Sequence, residues 1–405
     1  MKILVFNCGS SSLNYKIFQT QPGGDFQIEA YGKAHRVGVT GKEAAFIEHN
    51  LGGQSERQET PVRDHREAAQ LVLERLSKAD IRVDAIGHRF VHGGTFFEGS
   101  ALVTNEVRAR LEETLSLAPI HNPNSLSVID ACRQALPTVP QYVAFDTAFH
   151  VSLPPRASQY ALPRELVERY GLRRYGFHGL SYQYISRVAP HFLGLNVEGL
   201  RMVACHLGTG GSSVAAIYGG RSVDTTMGFS PLAGLVMGTR TGDLDAMLPL
   251  YLERELNYDA KALNEMFNKH SGLLGLSGFS SDLRDIQAQA EAGDDRARLA
   301  FEVYTHRLKK AIGAYAVLLG GLDVLVFTDD IGVQNWRVRE AACQGLSWCG
   351  LDLDLGANRR APADRPALIS DPRSRVRVVS MPTDEERIIA EEGVRLLQEA
   401  DYAAL

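Results

Sequence analysis

The chain has 405 residues, more than the roughly 250–300 at which a single core stops growing, so two domains are expected. Its composition, 44% hydrophobic and 22% charged, is that of an ordinary globular protein, and no run reaches the ~18–20 apolar residues of a membrane span. A formal net charge of -5 excludes bulk neutralisation of nucleic-acid phosphates, and five scattered cysteines without metal spacing suit a reducing compartment, so a cytoplasmic protein that binds neither nucleic acid nor membrane is expected.

In chain order, "MKILVF" enters a strand at once, with no basic leader or apolar targeting core. The turn "NCGSSS" follows, then a second alternating strand on which Asn14 and Lys16 share a face, about 6–7 Å apart. Lys16 is thereby placed to supply positive charge near Asn14, with an ordinary solvated lysine as the alternative. Residues 66–79 ("REAAQLVLERLSKA") form an amphipathic helix, and Asp84–Gly87 leads into "HRFVHGG", read as a loop. "VAFDTAFH" sets Asp146 at the end of an apolar strand. Residues 187–200 and 354–376 read as surface connections. Between them, "RMVACHLGTGGSSVAAIYGG" (201–220) repeats the pattern of residues 2–18: apolar strand, glycine and hydroxyl turn, second strand. Copies half a chain apart point to a duplicated domain. Phe301, Tyr304, Leu308, Ile312, Tyr315 and Leu319 recur at helical spacing before Gly320–Gly321 stop the helix, and "LDVLVFT" (322–328) is a buried strand. The alternation makes the chain α/β.

Glycine lets backbone amides approach an anion and hydroxyls add donors, so Gly9–Ser12 and Gly208–Ser213 are candidate phosphate cradles. Three histidine stretches, "GHRFVHGG", "APIHNPNS" and "RRYGFHGLS", lie beside Gly, Pro or Asn. Only "GHRFVHGG" and "RRYGFHGLS" of the three carry an arginine, and together the stretches favour an anionic site over zinc, for which no CxxC spacing exists. Asp146 suits either Mg²⁺ held through water or a cap on the next helix. Arg240 in "MGTRTGDLD" offers a rigid fork for carboxylate or phosphoryl oxygens, with a surface ion pair as the alternative.

Together, "NCGSSSL", "GHRFVHGG", "HNPNS", "FDTAFH", "RRYGFHG", "CHLGTGG", "MGFSPLAGLVMGTRTGD", "SGLLGLSGFSSDLRDI" and "MPTDEE" resemble the acetate kinase family, in its order and over nearly the whole chain. The resemblance implies a duplicated ribonuclease H-like (actin-like ATPase) fold with the active site in a cleft. Residues 1–150, completed by 385–405, would form one domain and 151–384 the other. It implies reversible phosphoryl transfer between ATP/ADP and acetate/acetyl phosphate, with Mg²⁺ or possible Mn²⁺, in a homodimer. On this sequence, Arg89 and Arg240 would grip carboxylate and phosphoryl groups, and His178 would stabilise the transition state. Asn7, Asp146 and Glu385 would organise the metal. His121 and His206 would line the phosphate path with Ser10, Ser12, Asn14, Gly208, Thr209 and Gly210, while Asp282, Arg284 and Asp330 would meet the nucleotide. Val91, Ile120, Phe177 and Pro231 would form a small apolar pocket suited to a methyl group, with propionate a poorer substrate.

The chain departs from that pattern where the family has lysine (here Asn14), asparagine (Thr209), a glycine pair after the late strand (Asp329–Asp330), and glutamate and asparagine (Val333, Gln334). These changes leave open pyrophosphate/phosphate as the donor pair, as in a rarer subgroup, and a non-catalytic relative that senses acyl phosphate.

Overall fold

The computed structural model describes residues 1–39 and 44–403, and the last two residues of the expected segment 385–405 lie outside that set. The chain divides into two compact units: Met1–Phe149 with the segment from Asp384 onward, and His150–Thr383.

The first unit is built on eight strands: β1 (Lys2–Cys8), β2 (Ser12–Thr20), β3 (Phe26–His35), β4 (Phe46–Leu51), β5 (Gln54–Glu59), β6 (Ala85–Phe90), β7 (Ala101–Leu102) and β8 (Gln141–Phe145), in the spatial order β5-β4-β3-β2-β1-β6-β8-β7. β1–β3 form an antiparallel meander, whereas β6 runs parallel to β1, and β8 to β6. One face packs on the helices His65–Lys78 and Asn122–Ala135, through Leu4, Phe6, Ile86, Val72 and Val128. The carboxy-terminal helix Glu385–Ala403 returns to the other face, where a side chain on Gly87 would meet Tyr142 and Ile389.

In the second unit, β9 (Arg201–Gly208), β10 (Gly211–Tyr218), β11 (Arg221–Thr225), β12 (Val324–Thr328), β13 (Ala367–Leu368) and β14 (Arg377–Ser380) lie in the order β11-β10-β9-β12-β14-β13. Again three antiparallel strands are followed by two parallel ones. The central five strands of each sheet, β3-β2-β1-β6-β8 and β11-β10-β9-β12-β14, therefore follow the same order, an antiparallel meander continued by two parallel strands, and the duplication read from residues 2–18 and 201–220 is a repeat of topology. This is the duplicated actin-like α/β arrangement. The helix Asp295–Leu318 buries Tyr304, Leu308, Ile312 and Tyr315 against this sheet, as their spacing predicts.

Three expectations are corrected. Residues 88–90 of "HRFVHGG" belong to β6 rather than to a loop; both faces of the strand are covered, so its near-continuous burial leaves no strand alternation to read. The helix Gly179–Leu193 occupies the first half of 187–200; it runs through Pro190 and stops at left-handed Gly194. The stretch 354–376 holds the helix Leu355–Arg360, capped by Asp354, and β13.

Candidate active site

Strand period assembles the first unit's polar face. Asn7 lies opposite Asn14, and Val5 opposite both Lys16 and Gly87, so Asn7, Asn14, Lys16 and Arg89 share one face; Arg89 pairs with Ala144, which carries Asp146 to the same side. Arg89 Nε and Nη2 donate to the two Asp146 oxygens at 2.9 and 2.6 Å, and Nη1 donates to Asn7 Oδ1 at 3.1 Å. Glu385 lies 3.8 Å away. Burial disfavours the charged guanidinium, but Asp146 and Glu385 outweigh it and hold the Arg89 pKa well above its ordinary range.

Lys16 does not supply spare positive charge. Its ammonium pairs with Asp384 at 3.0 Å and Glu386 at 3.4 Å. Burial opposes its charge, yet those two carboxylates prevail and raise its pKa. Asn7 Nδ2 donates to Glu386 at 2.9 Å. Among the described residues, Asp146 and Glu385 lie beside Arg89, and Asp384 and Glu386 beside Lys16, so four carboxylates meet these two cations among hard oxygen donors. Oxygen donors of this kind are the ones Mg²⁺ or Mn²⁺ takes, although no three His, Cys, Asp or Glu side chains among the described residues converge as a ready metal cluster.

Around this face, Gly9 N donates to Ser12 O at 2.9 Å and closes the turn that carries exposed Ser10 and half-buried Ser12. Val91 is buried just beyond β6, Ile120 is exposed, and His121 precedes the helix Asn122–Ala135. His88 leaves the anionic set: one residue from Arg89, it points to the opposite face, fully buried, stacked near Phe6 and bonded to Gln141 at 2.9 Å. Desolvation lowers its pKa to about 4, so it is a neutral core residue.

In the second unit, His178 sits at a left-handed backbone position (φ 60°) before the helix Gly179–Leu193. A non-glycine residue there is held at a cost, which is common at functional sites. Its Nδ1 lies 2.8 Å from Ser213 Oγ, itself 2.5 Å from the Tyr182 hydroxyl. The His178 ring stacks on His206, centroids 4.0 Å apart, and His206 Nδ1 lies 2.9 Å from Ser181 Oγ. Buried His150 contacts Phe177 O at 3.0 Å through Nε2, which fixes the segment before His178.

Arg240 differs from Arg89 in having no carboxylate partner among the described residues. Its Nη1 reaches Pro231 O at 3.3 Å, and burial alone lowers its pKa. A side chain built on Gly211 would begin 3.0 Å from Arg240 Nη1 and 3.6 Å from His178 Nε2. An unpaired guanidinium and an imidazole therefore converge on a bare glycine, in the geometry of an oxyanion receptor.

Beyond this lies a cavity of about 500 Å³ lined in part by Thr209, Asp282, Arg284, Asp330, Gln334 and Asn335. Its size suits a small-molecule or nucleoside site. Arg284 is tied to Asp282 at 2.5 Å beside the first turn of the helix Leu283–Glu291. Asp330, expected to meet the nucleotide, accepts from Thr209 N at 2.9 Å and Thr209 Oγ1 at 2.7 Å; Gly210 is exposed.

A family model described as the acetokinase family matches residues 2–391. The chain belongs to the acetokinase family. It is 44% identical to the acetate kinase of Caldicellulosiruptor saccharolyticus over 98% of this chain and all of that one. Among solved structures, it resembles the acetate kinase of Entamoeba histolytica (TM-score 0.88, 41% identity, 98% of this chain and 100% of the other). It also resembles a propionate kinase of Francisella tularensis (TM-score 0.87, 32% identity, 96% and 98% covered). Within this acetokinase fold, sequence reasoning missed Asp384 and Glu386, although "MPTDEE" showed three adjacent acids, and it missed Ser181 and Tyr182; Ser213, read as the end of a phosphate cradle, instead holds His178.

Proposed function

We propose that the chain catalyses reversible, Mg²⁺-dependent phosphoryl transfer between ATP/ADP and acetate/acetyl phosphate, as a cytoplasmic homodimer. The observation that carries this reading is Arg240, without a carboxylate partner among the described residues, converging with His178 Nε2 on Gly211. Phosphoryl transfer needs positioning and charge neutralisation more than a covalent helper, and acetate is already a competent nucleophile. Arg240 and His178 bind the equatorial oxygens of the transferring group. The stack with His206 and the Ser213–Tyr182 pair hold His178 in place. Asn7, Asp146 and Glu385 would hold Mg²⁺, which neutralises phosphate charge when bound, while Arg89 orients Asp146 and Glu386 orients Asn7.

The cavity beside Thr209, Asp282 and Arg284 supports a nucleoside donor. Val91 and Phe177 are buried and Pro231 is half-buried, in keeping with a methyl-sized acyl group. One methylene is worth only about 1–3 kcal/mol, so propionate would be a poorer substrate rather than an excluded one. Homodimer formation is supported by the helix Met247–Leu256, none of whose residues is buried despite its apolar content.

Acetyl phosphate formation from acetate and Mg²⁺, run in parallel with ATP and with pyrophosphate, tests this reading. Turnover with ATP is expected. Turnover with pyrophosphate alone would overturn the nucleotide assignment, and binding of acetyl phosphate without turnover would overturn the enzymatic one.

A further inference from the structure

Asp329 follows β12 with φ 64°, a left-handed conformation that glycine adopts freely and aspartate only at some cost. That backbone turns its carboxylate onto the bare Cα of Gly208, where a side chain on that glycine would begin. The same carboxylate pairs with His206 Nε2 at 3.2 Å. The next residue, Asp330, takes both donors of Thr209: the amide at 2.9 Å and the hydroxyl at 2.7 Å. It also accepts from Ile331 N at 2.6 Å, which anchors the carboxylate at the start of its own helical segment.

The inventory is specific. A glycine turn binds a phosphate through a backbone amide, a hydroxyl and a nearby cationic or donor side chain. Here the amide and hydroxyl of Thr209 and the outer nitrogen of His206 each face a carboxylate oxygen of the chain itself. Two adjacent carboxylates at the carboxyl end of a parallel strand thus stand where an anionic ligand of this turn would stand. Arg240, by contrast, faces no carboxylate among the described residues. The cavity of about 500 Å³ beside Thr209 stays open. The arrangement fills the turn while leaving its neighbours on both sides available.

We infer that Asp329 and Asp330 act as an internal anion that competes with the donor's phosphates for the Gly208–Gly210 turn and thereby sets donor affinity. This rests on the proposed phosphotransferase reading and names the residues that determine donor strength within it. A donor must move these carboxylates off Thr209 and His206 before its own oxygens take their place, so part of its binding free energy goes into displacement. The acetyl group makes no such demand. The effect therefore falls mainly on donor KM and less on acetate KM.

The test uses the full chain. Asp329→Gly removes one carboxylate and relieves the left-handed strain, which offsets the larger entropy that glycine gives the unfolded chain. Asp330→Asn removes charge at constant size. Each is expected to lower the KM for ATP by about threefold, and the pair by about tenfold or more, with a smaller change in acetate KM. Asp330→Glu keeps the charge and is expected to keep weak donor binding, whereas a purely structural role would make Glu as damaging as Ala. Titration calorimetry with inorganic phosphate and with MgADP gives a second readout that needs no turnover; both ligands are expected to bind more tightly to the double variant. Unchanged or weaker donor binding in Asp329→Gly and Asp330→Asn would overturn the inference. If the parent enzyme forms no acetyl phosphate from any donor, the phosphotransferase reading fails, and the phosphate titrations still decide the competition.

Discussion

Arg240 and Arg89 are the same residue type in opposite electrostatic situations. Arg89 is saturated by Asp146 and Asn7, with Glu385 close by, whereas burial alone acts on Arg240. A guanidinium whose charge is not matched internally is the one available to a ligand, and its planar fork matters because it must share the anion with His178. Arg240→Lys is therefore expected to lower kcat by about 10²-fold or more, as for loss of an oxyanion donor, with the fold retained by circular dichroism. A loss below tenfold would show that charge alone suffices. Lys16 has a different fate. It faces Asp384 and Glu386, and its removal would leave four carboxylates opposed by one cation. Lys16→Met is expected to lower the Mg²⁺ concentration for half-maximal rate by about threefold, since the pair interactions at this partly exposed site are modest. A rise in donor KM instead would restore the lysine to the phosphate path.

At the scale of elements, β6 shows why a motif can be read correctly as a unit and wrongly by residue. "GHRF" has two polar side chains in succession, and strand period sends Arg89 to the carboxylate face and His88 into the core. From sequence alone both looked like anion ligands on a loop, because neither face of this strand is solvated and no alternation survives. The strand-turn-strand of residues 2–18 was legible because its period of two is strong, and the helix Asp295–Leu318 because its apolar stripe is long. The buried histidine has a measurable consequence. Its folded pKa of about 4 lies below the ordinary 6.5, so as pH falls the unfolded chain takes up the proton first. Neutral His88 contributes stability that is fully present above pH 6.5 and is lost as pH falls toward 4, on the order of 3 kcal/mol in all. Urea unfolding of the parent at pH 7.5 and 5 is expected to show this loss, and His88→Gln to show a smaller one. Equal pH dependence in both proteins would assign the acid sensitivity elsewhere.

For the whole molecule, the duplication and the family were legible because the glycine turns recur half a chain apart and the motifs keep their order. What stayed hidden is whatever depends on register between distant segments. Asp384 and Glu386 meet Lys16 and Asn7 only because the carboxy-terminal helix returns to the first sheet, and no local spacing encodes that return. Assembly is hidden for a related reason: an apolar helix reads the same from sequence whether the fold covers it or leaves it bare. In the helix Met247–Leu256 the fold leaves it bare, with Met247 59% and Tyr251 56% exposed, and Leu248 and Leu250 exposed beside them. Large apolar side chains grouped on one exposed helix gain by burial against an identical surface, at roughly 25 cal/mol per Å² removed from water. Leu248→Glu with Tyr251→Glu would place two charges in that contact while removing nothing from either core, so folding should survive and association should not. Sedimentation velocity is expected to give a dimer for the parent and a monomer for the double variant, with unchanged circular dichroism. A variant that sediments as the parent does would place the dimer contact on another surface.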